Sequence, residues 1–186
     1  MNQLFKILFC LIVVTFLFSC DNKKTSSFQN ISLEDLELKR GDLLLCGDPN
    51  FGEVDFSLSC RYDLREKFNL GLTLIHSFEY AEAEKVFVNI LDQDKDCVMA
   101  YWATAMSILN HPLSRRQNTE SLKRGEELLK VAKTLVVNNE REKDYLDAVG
   151  IYFKDWQNLD TQTRKLKYES KMEELYLKYP NDVETA

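Results

Sequence analysis

Five cysteines and two histidines carry most of the reactive side-chain chemistry of this 186-residue chain. Cys10, Cys20, Cys46, Cys60 and Cys97 offer thiols for disulfides, acylation or soft-metal binding. No two of them stand in a CxxC spacing, so a structural zinc site is not expected. His76 and His111 have the residue type for acid–base chemistry or metal ligation. No acidic partner accompanies either in a fixed motif, and GxSxG, HExxH, Walker and dinucleotide-binding patterns are absent. The spacing predicts structural histidines that bond a helix end or loop, no catalytic site and no cofactor. A metal or redox role for His76, His111 and the thiols is the alternative. The 24 basic against 30 acidic residues leave a net charge of −6, which excludes the concentrated positive face that nucleic acid requires.

Cys20 has the most informative surroundings. Lys6 precedes Ile7–Phe18, a run without charge that is too short to span a bilayer, for which about twenty apolar residues are needed. The run ends in Leu17-Phe18-Ser19-Cys20. This resembles the lipobox of bacterial lipoproteins. The resemblance implies signal cleavage between Ser19 and Cys20, lipid on Cys20, and a membrane partner at the bacterial cell envelope. Residues 1–19 are then the signal peptide and 20–30 (CDNKKTSSFQN) a flexible tether. Asp21 favours the inner membrane under enterobacterial sorting rules, but other phyla sort differently, so inner versus outer membrane stays open.

Export places Cys46, Cys60 and Cys97 where disulfides persist. Cys46 and Cys60 flank the turn-rich Gly47–Gly52, and Val54, Phe56 and Leu58 alternate as in a strand. Residues 31–60 are therefore expected to be irregular or a β-hairpin, stapled by Cys46–Cys60 or by the rival Cys60–Cys97. Three buried free thiols are the third possibility.

From residue 61 onward the spacing is helical. Gly 6 and Pro 3 in the whole chain are few, which disfavours a loop-rich β fold. Asp63-Leu64-Arg65-Glu66 reads as a capping box ahead of Leu64, Phe68, Leu72 and Ile75. Further helices are predicted over 80–92, 97–109, 118–136, 139–153 and 160–179, with a seventh opening at Asp182. The acid-rich runs Glu79–Glu84 and Glu140–Asp147 read as solvated helix faces.

The helices also repeat. In a 34-residue frame that allows insertions, Gly71, Leu74, Ala83 and Phe87 recur as Ala105, Ile108, Gly125 and Leu129, while Leu70, Gly71 and Leu74 recur as Val149, Gly150 and Phe153, and Tyr101 recurs as Leu146. Phe78-Glu79-Tyr80-Ala81-Glu82-Ala83 resembles the inter-helix turn of the tetratricopeptide (TPR) repeat family, whose period is 34 residues. The resemblance implies an all-α, right-handed TPR-like solenoid of about three repeats (61–95, 96–137, 138–181), with a fourth beginning at 182–186 and continuing past Ala186. Small residues such as Gly71, Ala83, Gly125 and Gly150 would let paired helices approach.

In that family the first helix of each pair lines a concave groove, here through Phe68, Leu72, Met99, Trp102, Met106, Asp147 and Ile151. Its Met and Trp suit an adaptable protein or peptide partner. The expected function is a lipid-anchored, non-catalytic interaction scaffold. A glycan- or peptide-binding uptake lipoprotein, using Tyr101, Trp102, Tyr152 and Trp156, is the alternative. Against an open groove stands the N-terminal segment, whose Leu33, Leu36, Leu38, Val54 and Phe56 need an apolar surface of their own.

Overall fold

Apolar side chains at helical spacing fold into α1 (Arg65–His76), α2 (Tyr80–Gln93), α3 (Val98–Leu109), α4 (Thr119–Ala132), α5 (Glu140–Phe153) and α6 (Thr161–Lys178). A computed structural model describes residues 31–45, 52–109 and 118–185. Among these residues the fold is all-α, with short 3-10 turns at Leu33–Asp35, Tyr62–Leu64 and Val183–Thr185 and no strand. No helix among them is long and apolar enough to cross a membrane.

Polar side chains set three of the starts. Asn118, Asn139 and Asp160 accept the backbone N–H of Ser121, Glu142 and Thr163 respectively, each satisfying a donor the helix cannot. The expected cap at Asp63 does not form. Both of its oxygens are taken by the Arg61 guanidinium, and residues 62–64 make a 3-10 turn instead. α4 stops at Ala132 rather than near 136, and Val136 is exposed. Past Asp182 the described residues hold only the 3-10 turn.

Helices adjacent in sequence pack together, α1 on α2, α2 on α3, α3 on α4, α4 on α5 and α5 on α6, while α3 also contacts both α1 and α5. Two glycines permit this closeness. A methyl group on Gly71 would lie 2.4 Å from the Phe87 ring, and one on Gly125 would lie 2.1 Å from the Phe153 ring. Both rings are buried. Gly71→Ala and Gly125→Ala should each cost about 1–3 kcal/mol through overpacking, read from urea unfolding. Gly150, expected to play the same part, faces open space: a methyl group there would have nothing within 4 Å. Gly150→Ala should therefore be neutral or stabilise the helix by up to about 1 kcal/mol.

The N-terminal segment forms no hairpin among the described residues; 46–51, with Cys46, lie outside them. Helix carboxylates take backbone donors that a partner strand would have used. Along α2, Glu84 accepts from Lys39 N–H at 2.9 Å and Glu82 from Leu44 N–H at 2.8 Å. Arg40 grips Asp92 through two bonds of 3.0 Å. Leu33, Leu36 and Leu38 are buried in the same core as the helices. The runs read as solvated faces thus include three buried carboxylates, Glu82, Glu84 and Glu142.

Candidate binding groove

The face made by α1, α3 and α5 is crossed by residues 53–58, free of helix, with a bend at Ser59 and Cys60. Glu53, Asp55, Ser57 and Ser59 are exposed, although the Ser59 hydroxyl turns inward to Glu142; Val54, Leu58 and Cys60 are half-buried, and Phe56 is buried. Phe56 is the anchor of this strap. Its ring stacks on Phe68 of α1 at 5.5 Å and on Trp102 of α3 at 6.1 Å, with Tyr145 of α5 edge-on at 5.9 Å. The Arg141 guanidinium covers the Phe56 ring at 4.3 Å.

Polar groups fix the strap's backbone. Asn69 Oδ1 accepts from Phe56 N–H at 3.1 Å, and Arg141 donates to the Ser57 carbonyl at 2.8 Å. Glu142 accepts from Ser59 N–H at 2.5 Å and from its hydroxyl at 2.6 Å. Arg65 pairs with Asp55 at 2.5 Å. A disulfide joins Cys60 to Cys97, the residue before α3, with Cα atoms 4.9 Å apart. The rival pairing is therefore the observed one, and Cys46–Cys60 is excluded because the Cys60 sulfur is already bonded. Residue 60 lies in a bend at the end of the segment that reaches across to α3, and no hairpin forms among the described residues to turn it back.

Beside the strap lies an open cleft of about 670 Å³ between residues 53–57 and 178–184, with His76 and Arg141 in its wall. Asp182 organises this end. It accepts from Arg141 at 2.5 Å and from the Tyr145 hydroxyl at 2.9 Å. Burial favours the neutral Asp182 carboxyl, yet the hydrogen bonds from Arg141 and Tyr145 outweigh it and hold the pKa below its ordinary value. Burial, then the Asp182 carboxylate, pushes the Tyr145 phenol up. Asp144 behaves like Asp182: burial opposes its charge, but Lys178 and Tyr179, both bonded to it at 2.7 Å, lower its pKa overall.

A pH dependence follows. Folded-state values below the unfolded ones mean that both carboxylates contribute stability above the unfolded carboxylate pKa of about 4. That contribution is lost as the pH falls through the depressed folded values. Amide protection across 179–185 should therefore fall in acid before that of α1–α3, and Asp182→Asn should remove much of the difference; hydrogen exchange at stepped pH measures both.

The predicted groove residues divide. Phe68, Leu72, Met99 and Trp102 are all buried in one core, and Phe56 of the N-terminal segment covers Phe68 and Trp102, as the covered-groove reading has it. Met106 is half-buried beside the Tyr168 hydroxyl, 3.6 Å from its sulfur. Asp147 is exposed and paired with Lys143 at 2.6 Å, and Ile151 lines a separate pocket with Lys154 and Lys171. These two miss the groove because the strap meets α5 at Arg141, Glu142 and Tyr145, one side of the helix away. Tyr101, Trp102 and Tyr152 are buried, and the half-buried Trp156 donates its indole N–H to Glu126 at 3.1 Å, so the four aromatics make no open platform for sugar.

His76 is half-exposed, and its Nε2 lies 3.1 Å from Glu184. Among the described residues no group of three or more His, Cys, Asp or Glu is placed to hold a metal ion. His111, Ser19 and Cys20 lie outside the described residues. Phe56 was visible in the sequence through its alternation with Val54 and Leu58; Asn69, Arg141, Glu142 and Asp182 carried no signal of their own. Compared with family models, curated proteins and solved structures, the chain matches none of them.

Proposed function

We propose that this chain is a lipid-anchored, TPR-like protein-interaction module of the bacterial cell envelope that works without catalysis. The sequence Leu17-Phe18-Ser19-Cys20 supports the anchor, and packing of α3 against both α1 and α5 supports the repeat reading. One observation carries the interaction role: an extended segment is held on the α1–α3–α5 face by an aromatic seat and side-chain bonds to its backbone. This is how such a face takes a protein segment from another chain.

Two measurements test the reading. Cys20→Ala should abolish labelling by a fatty-acid analogue and block cleavage at Ser19/Cys20; unchanged labelling would overturn the anchor. Photo-crosslinkers placed at the exposed Glu66 and Leu70, which flank the strap on α1, should trap a discrete envelope protein with the wild-type anchor and lose it with Cys20→Ala. No crosslink from either position would count against the module.

A further inference from the structure

The strap sits on its face as a ligand would. Within residues 52–60 only Phe56 is buried, and Glu53, Asp55 and Ser57 alternate with the inward positions as exposed residues. Its backbone is read by Asn69 and Arg141, and its Ser59 hydroxyl by Glu142. The fit leaves one group unsatisfied. The Trp102 indole N–H, in a residue 2% exposed whose ring lies nearly parallel to Phe56, has no hydrogen-bond partner among the described residues. A buried donor without an acceptor favours any occupant that brings one.

We propose that residues 52–60 are a built-in competitor for the α1–α3–α5 face, latched by the Cys60–Cys97 disulfide. The external occupant is an extended protein segment with an aromatic residue followed three positions later by Ser or Thr. The inference deepens the interaction-module reading and rests on it. The incoming aromatic takes the Phe56 seat, its N–H bonds Asn69, the next carbonyl bonds Arg141, and the hydroxyl bonds Glu142. A carbonyl or carboxylate oxygen near Trp102 Nε1 gives the invader a bond that the strap lacks.

The latch decides the competition. A tethered segment is present at a high effective concentration, in the millimolar range for short links. The bridge pins the strap's C-terminal end to the start of α3, so the strap cannot lift there. A dithiol reductant opens it: the Cys60–Cys97 S–S bond breaks, each sulfur gains one hydrogen, and the reductant loses two hydrogens and forms its own disulfide. Cys60 is the half-buried and Cys97 the buried partner of the bridge, at 1% exposed.

The test uses a fluorescent peptide of this chain's residues Glu53–Ser59, titrated against the full chain. The chain is compared oxidised, treated with dithiothreitol, as Phe56→Ala, and as Cys60→Ser with Cys97→Ala. The three opened forms should bind the peptide at least about tenfold more tightly than the oxidised chain, and a peptide carrying Ala for Phe should not bind. Equal binding to all forms, or none to opened forms that keep their helical circular dichroism, would overturn the proposal. If the variants lose helicity, hydrogen exchange on the wild-type chain decides. Dithiothreitol should speed exchange within 52–60 at least about tenfold and leave α1 and α3 protected, whereas uniform loss of protection or no change would overturn the latch. Peptide failure beside positive crosslinks at Glu66 removes the competitor and leaves the interaction module standing.

Discussion

Trp102→Ala is expected to lower the unfolding free energy by about 3–5 kcal/mol, the range for emptying a large buried aromatic site. The indole is 2% exposed and joins three elements. It lies nearly parallel to Phe56 of the strap, at 6.1 Å and 7°, and meets the Tyr145 ring of α5 at 5.1 Å. Truncation leaves a cavity that rigid helices on two sides cannot close. Loss of the orphaned indole N–H offsets part of the cost, since an unsatisfied buried donor is itself worth about 1–3 kcal/mol. The net effect should fall toward the lower end of the range. Trp102→Phe separates the contributions: it keeps most of the ring packing, removes the orphan, and should stay within about 1.5 kcal/mol of the parent. Urea unfolding with a shared m-value measures both. A loss below about 0.5 kcal/mol for Trp102→Ala would mean that the strap does not seal the groove in solution.

Arg124→Ala should cost about as much, about 3–5 kcal/mol, for an electrostatic reason. The Glu84 side chain is 2% exposed and receives the Arg124 guanidinium at 2.8 and 3.3 Å. Arg124 also donates to the Glu37 carbonyl at 2.6 Å, tying the N-terminal segment to α4. Removing it strands a buried carboxylate whose remaining donor is the Lys39 backbone N–H. Replacing both partners by apolar residues of similar size, Arg124→Met with Glu84→Met, should recover much of the loss, because no charge is then left buried. A double-mutant cycle in urea reads the coupling. Equal losses for the single and double variants would show that Arg124 acts through packing alone.

These two sites mark how far the sequence could be read. Helix positions were legible, because Phe68, Leu72 and Ile75, or Phe87 beside Gly71, repeat at spacings that only a helix turns to one side. The need of Val54 and Phe56 for an apolar partner was legible from alternation. The surface they found was not, since nothing local to residue 56 names Asn69 or Arg141. The acid runs misled for the same reason. Glu82, Glu84 and Glu142 look solvated beside their charged neighbours, but distant Leu44, Lys39 and Ser59 bring backbone N–H groups to them. Local charge density says nothing about a donor that arrives from far along the chain. The cysteines stayed open between two pairings because an extended crossing and a hairpin share the same residue alternation.

The strap also has a consequence in time. A chain made from its N-terminus presents Phe56 long before the helix that completes its seat. Ser59 and Glu142 are 83 positions apart, and Arg141 is synthesised later still than α1 and α3. Until α5 emerges, Phe56 has only a partial surface and stays exposed to other hydrophobic chains. The Cys60–Cys97 link spans 37 positions, so it can close while α5 is still unmade. An oxidised intermediate would then keep the waiting segment beside α3 and shorten the loop to be ordered when Arg141 arrives, turning a late, distant search into a local one.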